Sequence, residues 1–122
     1  MEVEEIEDTD NLYRLIDDQF IDEDGNIKFE AFYLRVLHGG KKEKEISILL
    51  ARFYKDSKEV CQYKHFTKYK SLLHFQASIP RNNKLGVCHS PSDNLPGHSH
   101  ICGFWNDNKI QDIIDNSEHI EN

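Results

Sequence analysis

The chain has 122 residues, of which 38% are hydrophobic and 30% charged, and it carries a formal net charge of −7. That is one domain's length with ordinary core material, which argues against a wholly disordered chain. The longest apolar run is Ile48–Ala51, far short of a membrane span. The N-terminus is acidic (Glu2, Glu4, Glu5, Glu7, Asp8, Asp10), the opposite of a secretory leader or an Arg-rich transit peptide. A cytoplasmic location with no membrane partner is therefore expected. Three cysteines, Cys61, Cys88 and Cys102, form an odd set without framework spacing, as reduced thiols in a reducing compartment would.

Charge is unevenly distributed. Residues 1–30 hold 12 acids and 2 bases (net −10), residues 31–90 hold 12 bases and 4 acids (net +8), and residues 91–122 are net −5. Either the acidic ends fold back and neutralise the middle, or residues 31–90 form a surface for an anionic partner such as a nucleic acid, a nucleotide or an acidic protein face. The first reading is the commoner fate of surface charge.

In chain order, residues 1–10 read as a flexible acidic tail, with little apolar content beyond Val3 and Ile6. Residues 11–115 read as a single domain. Asn11 to Ile21 predicts a short helix, capped by Asn11, with Leu12, Leu15, Ile16 and Phe20 at i, i+3, i+4 and i+8. Asp22 to Asn26 is a turn in which Gly25 and Asn26 tolerate positive φ. It resembles half of a calcium loop, but with Gly25 at position 6, Phe20 falls at position 1 and Ala31 at position 12, where acids are needed. Ile27 to Leu37 is core material of unsettled period. His38-Gly39-Gly40 and Lys41 to Lys44 follow as an exposed loop without a phosphate-loop pattern.

Ile46 to about residue 52 predicts a buried strand, and Ser57 to Cys61 a short helix capped by Asp56 or Ser57. Lys64 to Ser71 interleaves bases and aromatics, a composition that suits single-stranded nucleic acid or a loop over a core. Lys64, Lys68, Lys70 and Arg81 are the candidate binding surface. Leu72 to Ile79 predicts a strand, Pro80 to Asn83 a turn, Leu85 to His89 a strand and Ser99 to Phe104 another. Asp107 to Ile114 predicts an amphipathic helix through Ile110, Ile113 and Ile114, and residues 116–122 a frayed end. The expected fold class is α+β: a small, mainly antiparallel sheet with short flanking helices.

Several short motifs follow one another along the chain: Leu12-Tyr13-Arg14, Ala31-Phe32, Ile46-Ser47-Ile48, Val87 through Pro91, and Asn94 through Gly103. Together they resemble a group of small bacterial proteins with an LYR start, a central AF, an LSV-type strand and a closing N-P-x-H-A-x-I-x-G segment. This chain departs from that pattern where Leu95 splits Asn94 from Pro96, and at His100, where such proteins carry a small or acidic residue. His98 matches directly. The resemblance brings no activity with it. It implies an accessory member of a bacterial multi-gene locus, including defence loci.

The densest chemistry lies in Gly86 to Trp105. His98, His100 and Cys102 alternate, so on a strand all three share one face as candidate zinc ligands, with Cys88 and His89 nearby. The spacing matches neither a zinc-finger nor a zinc-deaminase pattern, and the competing reading is a buried Cys102, a His98 hydrogen-bonded in the loop and a half-exposed His100. Apart from zinc, no cofactor is implied. Catalysis without metal would use His98 as general base, with Arg14, His89 or Asp93 aiding an anionic substrate. No nucleophile, phosphate loop or redox pair announces itself. The sequence therefore favours an interaction protein, a partner or regulatory subunit of a larger protein from the same locus, over a small hydrolase or metal-dependent enzyme centred on His98.

Overall fold

A computed structural model describes residues 2–33, 45–62, 66, 69–92 and 94–121. Among these residues, six strands form one antiparallel sheet: β1 (Asn11–Ile16), β2 (Ile46–Leu50), β3 (Ser71–Gln76), β4 (Gly86–His89), β5 (His98–Cys102) and β6 (Glu118–Glu121). Their spatial order is β4-β5-β2-β1-β3-β6, with every neighbouring pair antiparallel. Three short α-helices among the described residues accompany them: α1 (Ser57–Cys61), α2 (Ser78–Asn82) and α3 (Asp107–Asp115). The α+β class expected from the sequence is the one observed.

Leu12, Leu15 and Ile16 lie on a central strand, not on the predicted helix. β1 has neighbours on both sides and covered faces above and below, so all five residues from Leu12 to Ile16 are buried. Leu12 and Ile16 join Ile48, Phe75, Ile101, Ile110 and Ile113 on the face covered by α3. Tyr13 and Leu15 join Leu49, Tyr54, Val60 and Leu72 on the face covered by α1. A strand buried on both faces loses its alternation, and its apolar positions then imitate a helical i, i+3, i+4 stripe. Each fully buried Leu or Ile contributes roughly 1.5–3 kcal/mol of transfer free energy.

The Asp22 turn forms as expected. Asp22 Oδ1 accepts from the Asp24 and Asn26 N–H groups, and Gly25 adopts φ +84°. The 3-10 turn Phe29–Phe32 then drops Ala31 and Phe32 into the core. Helix α1 forms where predicted, with Asp56 accepting from Glu59 N. Strand β3 stops at Gln76, and the predicted Pro80 turn is the one-and-a-half-turn α2. Pro80 fits there because a first-turn residue has no intrahelical acceptor for an N–H. Helix α3 forms over its predicted span, with Asn106 accepting from Lys109 N.

Both termini are more ordered than the sequence suggests. Residues 118–121, expected to fray, form β6 and pair with β3, Ile120 lying opposite Leu72. The N-terminal segment, expected to be a loose tail, is held across the body of the fold. Ile6 is buried in the α3-face core, and the Asp8 and Asp10 carbonyls accept from the Ser78 and Ala77 N–H groups. Among the described residues, no helix is long and apolar enough to cross a membrane.

Candidate functional site

Strand β5 lies between β4 and β2, with His100 opposite both Cys88 and Ser47 and His98 opposite Leu49. Strand alternation sends Ser99 and Ile101 into the α3-face core and leaves His98, His100 and Cys102 half-buried on the other face. The shared face matches expectation, but the metal centre does not follow. Alternate residues on one strand stand about 6.7 Å apart, so His98 and Cys102 are separated by about twice that. A zinc ion holds its ligands at about 2.0–2.3 Å. Two of the rings are also engaged elsewhere: His98 Nδ1–H donates to the Ser90 carbonyl at 2.9 Å, and His100 Nε2 meets Glu45 Oε2 at 2.9 Å. Among the described residues, no group of three or more His, Cys, Asp or Glu could hold a metal ion.

The predicted catalytic group of His98, Arg14 and His89 is likewise divided. His89 follows Val87 on β4 and points into the α3 face, away from His98. It is 5% exposed and accepts at Nδ1 from Glu4 N (2.8 Å). Its Nε2–H therefore donates to the Pro96 carbonyl at 2.7 Å, and the ring stacks on Phe53. Both nitrogens are committed, so His89 is a neutral clamp between the N-terminal segment and the loop before β5, with no nitrogen left for a substrate. Arg14 is fully buried on β1. Its Nε donates to the Ala31 carbonyl (3.0 Å), its Nη1 to the Ser47 carbonyl (2.8 Å), and its guanidinium lies over Phe32. It ties β1, β2 and the Phe29–Phe32 turn together.

Of the predicted basic surface, Lys70 is exposed, while Lys64 and Lys68 lie outside the described residues, as do Asp93 and the Lys41 to Lys44 run. Arg81 is occupied: it donates to Asp8 Oδ1 at 2.7 Å and to the Ile6 carbonyl at 2.6 Å. Arg52 meets Glu4, Asp10 and the Glu5 carbonyl. At these two arginines the acidic end folds back on the basic middle, the first of the two readings of the charge pattern.

Two groupings emerge that spacing did not signal. One is a cleft of about 600 Å³ at the end of the sheet where β5 leaves and β2 begins, lined by Phe32, Tyr33, Glu45, Ile101, Cys102 and Trp105, among others. Phe104 lies between two of the lining residues, Gly103 and Trp105, and is 92% exposed. Acids accompany this aromatic rim. The Asp107 carboxylate, with burial and Glu30 behind it, raises the Tyr33 phenol's pKa. The other grouping is a pair of thiols on adjacent strands, Cys88 and Cys102, beside the His100–Glu45 pair. The sequence placed Phe104 at the end of a strand from Ser99, but β5 stops at Cys102, where Gly103 turns the chain with φ +129° and leaves Phe104 exposed. The partners of both groupings depend on strand register, which local sequence does not carry.

Comparison of the chain with protein-family models, with curated proteins and with solved structures gave no match.

Proposed function

We infer that the chain is an interaction protein, a partner or regulatory subunit that receives a segment of a larger protein in the cleft beside Phe104. The observation that carries this reading is a large aromatic side chain left 92% exposed next to an apolar cleft. A lone exposed aromatic is unremarkable, but one beside a cleft lined by Phe32, Ile101 and Trp105 has the composition of an interface anchor. The acids at the rim, Glu45, Glu30 and Asp107, favour a partner segment that sets a hydrophobic anchor between Lys or Arg side chains. The motif resemblance points to a setting in a bacterial multi-protein system, of a range that includes defence loci.

The test is co-expression with the genes neighbouring its own, followed by native mass spectrometry. A stoichiometric protein partner is expected. Phe104→Asp should remove it without lowering the urea midpoint, because Phe104 contributes almost nothing to the core. His98→Ala should leave the complex intact. A chain that stays alone, or a complex indifferent to Phe104→Asp, overturns the reading.

A further inference from the structure

We propose that Cys88 and Cys102 form a thiol–disulfide exchange site, in which the Cys88 thiolate first attacks a small-molecule disulfide and Cys102 resolves the adduct into a cross-strand bridge. The inference stands on strand register and does not depend on the docking reading. On β4 and β5, Cys102 lies opposite Gly86 and Cys88 lies opposite His100, so the two cysteines are diagonal neighbours on one face. Gly86 brings the sulfurs together. A Cβ there would come within 2.9 Å of Cys102 Sγ, so only glycine lets that sulfur lie over β4 toward Cys88. The two thiols lie close enough for each to act on the other's ionisation.

Their surroundings differ in a way that orders the chemistry. Cys88 is exposed, whereas Cys102 is half-buried. Burial, then Cys88, then Glu45 push the Cys102 thiol's pKa up, so it makes less thiolate than an ordinary cysteine. Accessible thiols react first, and a covered neighbour acts second. Among the described residues β4 is an edge strand paired with β5 alone, so it can yield the small approach that a bridge requires.

The exchange balances with a glutathione disulfide as the oxidant. The Cys88 thiolate attacks one sulfur of the disulfide, a mixed S–S bond forms, and one glutathione thiolate leaves. The Cys102 thiolate then attacks Cys88 Sγ, the protein S–S bond forms, and the second glutathione departs. Two protein thiols are oxidised, one external disulfide is reduced, and the two thiol protons pass to the glutathione thiolates. Excess thiol reverses both steps.

The experiment treats the full chain with oxidised glutathione and reads intact mass and a disulfide peptide map. The expected product has lost two hydrogens, retains no glutathione, and yields a peptide linked between Cys88 and Cys102. Cys102→Ser should instead stop at a stable glutathione adduct on Cys88, and Cys88→Ser should leave Cys102 largely unmodified over the same time. A wild-type chain that keeps glutathione on Cys88, bridges through Cys61, or does not react would overturn the proposal. The wild-type measurement decides the matter even if a variant folds poorly.

Discussion

Arg14 shows how a functional-looking residue can be structural. It stands within the LYR motif, and a lone arginine in an acidic third of the chain reads as an anion site. Its donors instead satisfy the carbonyls of Ala31 and Ser47 in a fully buried position. Removing a buried donor strands its acceptors at about 1–3 kcal/mol each. Arg14→Ala is therefore expected to cost about 3 kcal/mol or more in urea unfolding. Arg14→Lys should recover only part of this, because a single ammonium cannot reproduce the guanidinium fork. Tyr13, its neighbour on the opposite face, predicts an alkaline response. Burial, followed by Asp56 and Glu118, raises its phenol above the ordinary value of 10.0. Above that value the unfolded chain releases the proton while the folded chain still holds it. The contribution is thus complete below pH 10 and is lost as pH rises through the folded pKa. In pH-stability curves, Tyr13→Phe should flatten that alkaline decline and leave the neutral region's slope unchanged.

At the scale of elements, the loop before β5 is fixed by close approach. The Gly97 carbonyl accepts from Leu50 N, extending the β2–β5 ladder past its last paired residues. A Cβ on Gly97 would meet Tyr54 Cε2 at 2.5 Å and the Leu50 carbonyl at 3.0 Å. The backbone oxygen cannot yield, so the strand or the Tyr54 ring must shift. Overpacking of this kind costs roughly 1–3 kcal/mol. Gly97→Ala should show that loss in thermal or urea unfolding, whereas Gly25→Ala would be strained by its φ of +84° with no clash at all. The two glycines separate steric from conformational need. The same loop's Pro96 carbonyl receives the His89 ring, so β4, β5 and the N-terminal segment are coupled through one imidazole.

For the molecule as a whole, the acidic N-terminal segment is part of the fold. Its ion pairs with Arg52 and Arg81 are partly exposed and worth about 0–1 kcal/mol each. Burial of Ile6 is worth more, roughly 1.5–3 kcal/mol. Deleting residues 1–10 should therefore lower stability by a few kcal/mol, whereas raising salt to molar strength should change it little. A large salt effect with a small truncation effect would reverse that ranking and make the segment an electrostatic tether.

The sequence by itself determined the α+β class, the strands expected at 46–52, 72–79, 85–89 and 99–104 that form at 46–50, 71–76, 86–89 and 98–102, the helix through Cys61 with its Asp56 cap, the helix expected at 107–114, and the shared face of His98, His100 and Cys102. These follow from local rules: period, caps and alternation act over a few residues. Only the tertiary structure decided that Leu12 to Ile16 is the strand with both faces covered, because burial on two sides erases the period that marks a strand. It alone paired residues 118–121 with β3, since an edge partner is chosen by what else lies at the edge. It also separated His98 from Arg14 and His89 and set Cys102 beside Cys88. Those outcomes depend on which strands are neighbours and in what register, and a one-residue slip would send every side chain to the opposite face.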